Sequence, residues 1–189
     1  MVRFGALLAC GLLAACASAP PGPLAPRDEV RDFTLEARFA LRVSLPDRPP
    51  ENSGGRLEWE HRNGNDHILI SSPLGVGVAE IDIGPDRGQL RTADGRLRES
   101  ADADALMEEV TGQRLPVRQL PGWLLGRPGA VGDVTRDGAG RPARLTEAGW
   151  RIDYAYPDSS ADALPALVNL TRDNEIDLRL RIEEWRGAP

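Results

Sequence analysis

Lysine is absent from this 189-residue chain, cysteine and histidine occur twice each, and aromatic residues make up 5% of it. Without lysine, no phosphate-binding loop of the Gly-x-x-x-x-Gly-Lys type can form. Gly-x-Ser-x-Gly does not occur either, so there is no recognisable nucleophile elbow. His61 and His67 lie at positions that indicate outward or near-turn side chains, and no carboxylate or cysteine cluster completes a metal set with them. A formal net charge of −6 disfavours nucleic acid as a partner. These absences predict a chain that is not an enzyme and holds no metal or other cofactor.

Residues 1–15 have the pattern of a secretory signal peptide, with Arg3 at the head of an apolar run that is too short to span a bilayer as a mature helix. The ending Leu-Ala-Ala-Cys resembles a bacterial lipobox. That resemblance implies cleavage before Cys16, diacylglycerol on its thiol and acylation of the new amine. Cys10 would be lost with the leader, so the mature domain would contain neither a disulfide nor a free thiol.

Residues 16–29 are predicted to be a Pro/Ala-rich tether that carries the lipid and reaches roughly 30–45 Å. Ala17 follows the predicted lipidated cysteine, where lipoproteins of the enteric type carry Asp when they are retained at the inner membrane. Because Ala17 and not Asp occupies this position, the outer membrane is favoured. We therefore expect a lipid-anchored protein on the periplasmic side of that membrane.

Residues 30–186 are predicted to form one β domain. Apolar residues alternate with charged ones from Phe33 to Val43 and again from Glu175 to Glu183, which places one apolar face inward. Asn63-Gly64 and Asp94-Gly95 are hairpin-turn signals. Roughly nine to eleven antiparallel strands are expected from this spacing.

Two segments of the β pattern are irregular. The apolar parity slips between Val78 and Ile81, which predicts a bulge near Ala79. Pro46 to Gly55 is rich in Pro, Gly and Asn and is predicted to be a loop.

Two short helices are predicted in the middle of the chain. Ser100 or Asp102 can cap the first helix, and Gly112 would end it. Pro116 opens the second, in which Pro121 predicts a kink or a split. The apolar face of the first helix comprises Leu106, Met107 and Val110.

The long apolar face of the sheet needs a cover, and two helices of about ten residues are small for that purpose. Position by position, a filled β core is the simpler interpretation of the inward side chains. Three architectures remain open: a closed barrel packed with side chains, a sandwich, or a half-closed sheet around an apolar cavity. Periodicity does not choose among them.

The order of several short motifs resembles the LolB family of outer-membrane lipoprotein receptors. The matching pieces are the lipobox at Cys16, FTLEARFA at 33–40, LEW at 57–59, SPLG at 72–75, DG at 94–95, LPGWLLG at 120–126, GWRIDY at 149–154, LP at 164–165 and LRLRIEEW at 178–185. The resemblance spans nearly the whole mature domain. Residues 46–55 depart from it in composition.

This resemblance implies a mainly β fold, a single unclosed antiparallel β-barrel with a short helical lid over an apolar cavity. It implies a receptor that accepts triacylated lipoproteins from a periplasmic LolA-type carrier and inserts them into the outer membrane without catalysis. The partners would be that carrier, the lipoprotein cargo and outer-membrane lipid, and we expect a monomer. The alternative is a lipid-anchored periplasmic protein that binds another lipid or apolar ligand.

The site residues follow from the same resemblance. Pro73 and Gly75 favour a tight turn with Leu74 at its tip, and although one exposed Leu is ordinary, the family's corresponding loop puts cargo into the bilayer. The inward apolar residues become candidates to line the acyl-chain cavity: Phe39, Trp59, Ile68, Trp123, Trp150, Ile152, Tyr154, Leu178 and Leu180.

Overall fold

The computed structural model describes residues 25–187, so the lipobox, Cys16 and most of the predicted tether lie outside the described residues. The described residues form an 11-stranded antiparallel sheet and two short helices. The strands are β1 (Phe33–Val43), β2 (Glu51–Arg62), β3 (Asn65–Ser71), β4 (Gly77–Ile83), β5 (Gly88–Thr92), β6 (Leu97–Ser100), β7 (Asp133–Arg136), β8 (Pro142–Glu147), β9 (Trp150–Ala155), β10 (Leu167–Arg172) and β11 (Ile176–Gly187). The helices α1 (Ala103–Thr111) and α2 (Leu120–Leu124) lie between β6 and β7.

The sheet has the order β6-β5-β4-β3-β2-β1-β11-β10-β9-β8-β7. Neighbours in the sheet are also neighbours in the chain, except that β1 pairs with β11 over its whole length. The first and last strands therefore join two runs of hairpins at the centre of the sheet. Within residues 25–187 the outer strands β6 and β7 do not pair with each other, so the sheet is not closed. The prediction of an unclosed, mainly β architecture is confirmed.

Antiparallel pairing gives the sheet two distinct ends. One end carries the α2–β7 loop and the β1–β2, β3–β4, β5–β6, β8–β9 and β10–β11 connections, and we call it the mouth end. The opposite end of the sheet is called the far end. The register defines both: at the mouth end Val43 pairs with Ile176 and Glu147 pairs with Trp150, whereas at the far end Phe33 pairs with Gly187.

Alternation of side chains gives the sheet a buried concave face and an exposed convex face. In β3, for example, Ile68 and Ile70 are buried while His67 and Leu69 point outward. Three register shifts interrupt the pairing of the described strands, and two of them change which way core side chains point. The register between β3 and β4 shifts at Val78, which confirms the predicted bulge near Ala79.

The second irregularity explains why Trp185 departs from the alternation of β11. The register of β1 with β11 shifts by one residue between Glu36 and Ala37. Beyond that shift Trp185 packs edge-on against Phe33, with ring centroids 5.3 Å apart. The C-terminal end of β11 therefore gains an aromatic contact with the core at the far end of the sheet.

Helix α1 has the predicted caps. The Asp102 carboxylate accepts a hydrogen bond from the backbone N–H of Ala105, and Gly112 adopts a left-handed conformation with φ of 68°. Helix α2 is shorter than the predicted segment. Pro116 starts a separate turn, and α2 begins at Leu120, which puts Pro121 in the first turn where its missing N–H costs little. No helix within residues 25–187 is long and apolar enough to span a bilayer.

The predicted loop from Pro46 to Gly55 is wrong in its second half, because β2 begins at Glu51. This polar segment is a strand because its backbone pairs with β1, a tertiary contact that outweighs the low strand propensity of its side chains. Gly55 is required there by close approach: a Cβ at this position would lie 2.1 Å from the carbonyl oxygen of Ser71.

Candidate functional site

An apolar cavity of about 210 Å³ lies between the concave face of the sheet and helix α1. Its floor comes from β1, β2, β3 and β11, and its roof from α1, the following turn and the first residue of α2. The walls are mostly aliphatic, and the polar groups come chiefly from serines near the mouth end. The lining residues are Phe39, Leu41, Ser53, Gly54, Leu57, Trp59, Ile68, Ile70, Ser71, Ser72, Val78, Met107, Val110, Thr111, Leu115, Leu120, Leu178 and Leu180.

Five of the nine predicted cavity residues line this space, and they come from four different strands: Phe39, Trp59, Ile68, Leu178 and Leu180. The other four lie in the part of the core towards α2: Trp123, Trp150, Ile152 and Tyr154. There Trp123 packs on Trp150, with ring centroids 6.1 Å apart. The structure therefore divides the predicted set into two groups, and contact of either group with acyl chains stays a prediction.

The second group is tied to the sheet by hydrogen bonds that hold α2 down. The indole N–H of Trp123 donates to Oε2 of Glu147 at 2.7 Å, and the same carboxylate accepts from the backbone N–H of Gly129. The Tyr154 hydroxyl donates to the carbonyl oxygen of Trp123 at 2.6 Å. Burial raises the pKa of the Tyr154 phenol, so it stays a neutral donor. We call these contacts of Glu147, Trp123, Gly129 and Tyr154 the α2 latch.

Sequence reasoning missed Glu147. A glutamate at the end of a strand, before an Ala-Gly turn, carries no local sign that it will accept an indole N–H from a residue 24 positions earlier. The contact depends on where α2 crosses the sheet, so no periodicity could have revealed it.

Asp66 is a buried carboxylate beside the cavity wall. It accepts from the Trp59 indole N–H at 2.8 Å, and Nδ1 of His61 lies 2.7 Å from the same oxygen. The His61 ring also stacks on Phe33, with centroids 5.4 Å apart. The outward side chain predicted for His61 is therefore wrong, because its ring lies against Phe33 and Asp66. The signal was present in the sequence, because Asp66 has the inward parity of Ile68.

The second histidine lies in a cluster of exposed side chains. One ligand atom each from His67, Glu80 and Asp82 falls within 4.8 Å of the others, a spacing that could hold a cation. Each group, however, has a partner in the protein: Nδ1 of His67 lies 2.7 Å from Asp82, and Glu80 lies 3.7 Å from Arg91. The expectation that no carboxylate cluster accompanies the histidines is therefore wrong for His67, because pairing of β3 with β4 places two carboxylates beside it, although surface hydrogen bonds and ion pairs already engage these groups.

The loop between β3 and β4 presents Leu74 to solvent. The backbone N–H of Gly75 donates to the carbonyl oxygen of Ser72 at 2.9 Å, which closes a four-residue turn with Pro73 and Leu74 at its two central positions. Gly75 has a φ of 82°, which favours glycine. The Leu74 side chain is 92% exposed. Because Ser72 also lines the cavity, this turn stands at the cavity's edge.

The half-open sheet, the helices across it and the apolar space between them define a class: a β domain built around an apolar interior. The particular family follows from comparison with known proteins. A family model described as "Outer membrane lipoprotein LolB" matches residues 31–185, and the chain belongs to the LolB family. It is accordingly a lipid-anchored protein of the outer membrane and not an enzyme.

Individual relatives agree with this assignment. The chain is 56% identical to outer-membrane lipoprotein LolB of Dechloromonas aromatica, over 100% of this chain and 99% of the relative. It is 37% identical to LolB of an Azoarcus species, over 97% and 95% of the two chains. Among solved structures it is similar to a LolA superfamily protein from Nitrosomonas europaea, with a TM-score of 0.47 and 9% identity over 82% of this chain and 86% of that chain.

Proposed function

We propose that this protein receives acylated lipoproteins from a soluble LolA-type carrier and releases them into the outer membrane, holding their acyl chains in the apolar cavity without chemistry. The observation that carries the proposal is the juxtaposition of the cavity with the Leu74 turn, which share Ser72. An acyl chain in the cavity would lie one turn away from an aliphatic side chain that points into solvent.

The driving force is the cost of exposing hydrocarbon to water, about 0.8 kcal/mol for each CH₂ group. A chain that passes from one apolar cavity to another, and then into lipid, never meets that cost in full. The step therefore needs neither a nucleotide nor a covalent intermediate.

The size of the cavity sets a condition on this mechanism. A volume of 210 Å³ has room for about seven groups of the size of a water molecule, which is less than one long acyl chain. Cargo with three chains therefore requires the roof to move outward. Helix α1 makes most of its contacts with the sheet at strands β4 to β6, at one edge, so we expect it to swing about that edge.

The proposal gives each part of the chain a role, and the N-terminal parts fix where the protein is held. Residues 1–15 are the cleaved signal, residues 16–29 carry the acylated Cys16 and the tether, and residues 30–186 form the lipid-binding domain. The Leu74 side chain dips into the lipid surface while cargo leaves the cavity. A form without the anchor, Cys16→Ala, should still accept cargo from the carrier.

The test is transfer of a radiolabelled triacylated lipoprotein from the carrier to this protein, followed by its appearance in liposomes. Transfer is expected without added nucleotide. Tryptophan fluorescence should also respond saturably to a palmitoylated lipopeptide, because Trp59 lines the cavity. Saturable binding of a free lipid without any transfer from the carrier would favour the alternative, a binding protein for another apolar ligand. Absence of both would contradict the carrier mechanism.

A further inference from the structure

The exposed aliphatic side chains of this protein are not scattered over its surface. Among residues 25–187, six of the seven large hydrophobic side chains that are exposed lie at the mouth end, and the exception is Leu69 on the convex face of β3. The six are Leu45, Leu74, Val76, Val78, Leu97 and Val131. Scattered exposed aliphatic side chains are normal, whereas these six share one end of the sheet.

Two of them, Leu74 and Val131, are far more exposed than the rest of the set, at 92% and 86%. Both occupy the third position of a four-residue turn. The Leu74 turn is closed by Gly75 as described above, and the second turn is closed by the backbone N–H of Gly132, which donates to the carbonyl oxygen of Gly129 at 3.4 Å. The two turns thus present an aliphatic side chain in the same way.

The Val131 turn is held firmly to the sheet. Its first residue, Gly129, donates its N–H to the Glu147 carboxylate at the mouth end of β8, as part of the α2 latch. A side chain held outward by a fixed turn has already lost most of the backbone freedom that insertion into another phase would cost. The exposure of Val131 is therefore built into the fold.

The two turns lie on opposite flanks of the mouth. The Leu74 turn follows β3 and the Val131 turn precedes β7, at the edge of the sheet, with β2, β1, β11, β10, β9 and β8 between them. One insertion point would let the domain rock about it, whereas two separated points fix the direction in which the cavity faces.

We propose that the protein contacts the lipid surface at two points, Leu74 and Val131, and that this two-point contact sets the mouth end against the membrane. The inference rests on the proposed release of cargo into lipid. A lipid surface fits better than a protein partner because the side chains stand on separate turns and do not form the contiguous apolar centre typical of protein interfaces. The lipid anchor of an outer-membrane lipoprotein also keeps that surface permanently within reach.

The scarcity of cysteine makes the test direct. The chain has cysteine only at positions 10 and 16; the first lies in the leader and the second would be acylated, so an introduced thiol can carry an environment-sensitive fluorophore alone. Labels are placed by Leu74→Cys and Val131→Cys in the lipid-anchored protein, reconstituted in vesicles of phosphatidylethanolamine and phosphatidylglycerol. The matched controls are Leu69→Cys on the convex face and Gly138→Cys in the β7–β8 turn at the far end, where a Cβ meets nothing within 4 Å.

The labels at 74 and 131 are expected to shift to shorter emission wavelengths and to be quenched by spin-labelled lipid, while those at 69 and 138 stay in water. A shift at 74 without one at 131 overturns the two-point contact but leaves the proposed release step standing. A shift at 131 that occurs only when the carrier is added shows a protein partner and also overturns it. No shift at either position contradicts both the two-point contact and insertion of Leu74.

A functional measurement accompanies the labels. Val131→Gln is expected to slow release of lipoprotein into vesicles by roughly tenfold, the value of burying one valine side chain, while Val131→Leu keeps the normal rate. Acceptance of cargo from the carrier should be unchanged in both variants. A normal release rate in Val131→Gln would count against the contact of Val131 with lipid. If neither the wild type nor the variants accept lipoprotein from the carrier, the proposed function itself is contradicted.

Discussion

The α2 latch offers the sharpest test of how the cavity roof is held. Glu147→Gln keeps the size of the side chain but replaces one acceptor oxygen by an NH₂ group. The carboxylate accepts from Trp123 Nε1 at 2.7 Å and from the Gly129 N–H at 2.9 and 3.1 Å. If the amide oxygen takes the Oε1 position, the Trp123 N–H loses its acceptor. If it takes the Oε2 position, both N–H groups keep an acceptor, but the NH₂ group then faces the Gly129 N–H and the negative charge that strengthened both hydrogen bonds is gone.

The expected cost can be worked from these contacts. Hydrogen bonds to a charged group contribute about 1.5–3 kcal/mol and those to a neutral group about 0.5–1.5 kcal/mol, so weakening both contacts of Glu147 should lower the free energy of unfolding by about 2 kcal/mol. For a domain of this size that loss lowers Tm by about 4–8 °C. Gly129→Ala breaks the same contact from the other side, because its Cβ would lie 2.4 Å from Oε1 of Glu147.

The assay is urea unfolding followed by tryptophan fluorescence on both single variants and on the double variant. Because both changes disrupt one contact, the double variant should cost less than the sum, with a coupling of about 1 kcal/mol. Glu99→Gln is the matched control, an exposed carboxylate that accepts from Gln89, and should change the free energy by less than about 0.5 kcal/mol. An unchanged midpoint for Glu147→Gln, or strict additivity, would refute the latch.

Three further outcomes are expected. Leu74→Glu should leave the free energy of unfolding within about 0.5 kcal/mol of wild type. It should slow cargo insertion into liposomes by about 30-fold, since about 2 kcal/mol from burial of the leucine side chain in lipid is lost. A normal insertion rate would contradict the insertion of Leu74 into lipid. Val110→Trp should fill the cavity and weaken lipopeptide binding at least about tenfold, because Val110 lines it; unchanged titration of tryptophan fluorescence would argue against this cavity as the binding site. Burial raises the pKa of Tyr154, so its contribution to stability is complete below the ordinary phenol value near pH 10 and is lost as pH rises above it; Tyr154→Phe should therefore flatten the alkaline limb of a stability-against-pH curve, and an identical limb in the variant would contradict that assignment.

Local signals in the sequence were reliable wherever they depended on neighbours along the chain. The caps of α1 at Asp102 and Gly112 are confirmed, as is the bulge near Ala79. Each depends on backbone geometry within a few residues, which the side chains there determine directly. The Leu74 turn belongs to the same group, because Pro73 and Gly75 favour a tight turn by themselves.

Signals that depended on distant partners were less informative. The polar start of β2 was predicted to be a loop because no side chain shows that β1 will pair with it. Asp66 could have been identified as an inward carboxylate by its parity with Ile68, yet its two partners, Trp59 and His61, become evident only when β2 and β3 are aligned.

The amino-acid sequence by itself determined the class of this protein: alternation produced the strands, the turn residues produced the hairpins, and the ordered motifs indicated the LolB family. Tertiary structure alone decided how the apolar residues are shared out. It placed Trp59 and Leu180 at the cavity and Trp150 beneath α2, where Trp123 of that helix packs on it, although all four residues were predicted to line the cavity. The physical reason is that period-two alternation tells which face a side chain occupies, whereas the curvature of the sheet and the path of α2 decide what lies opposite it.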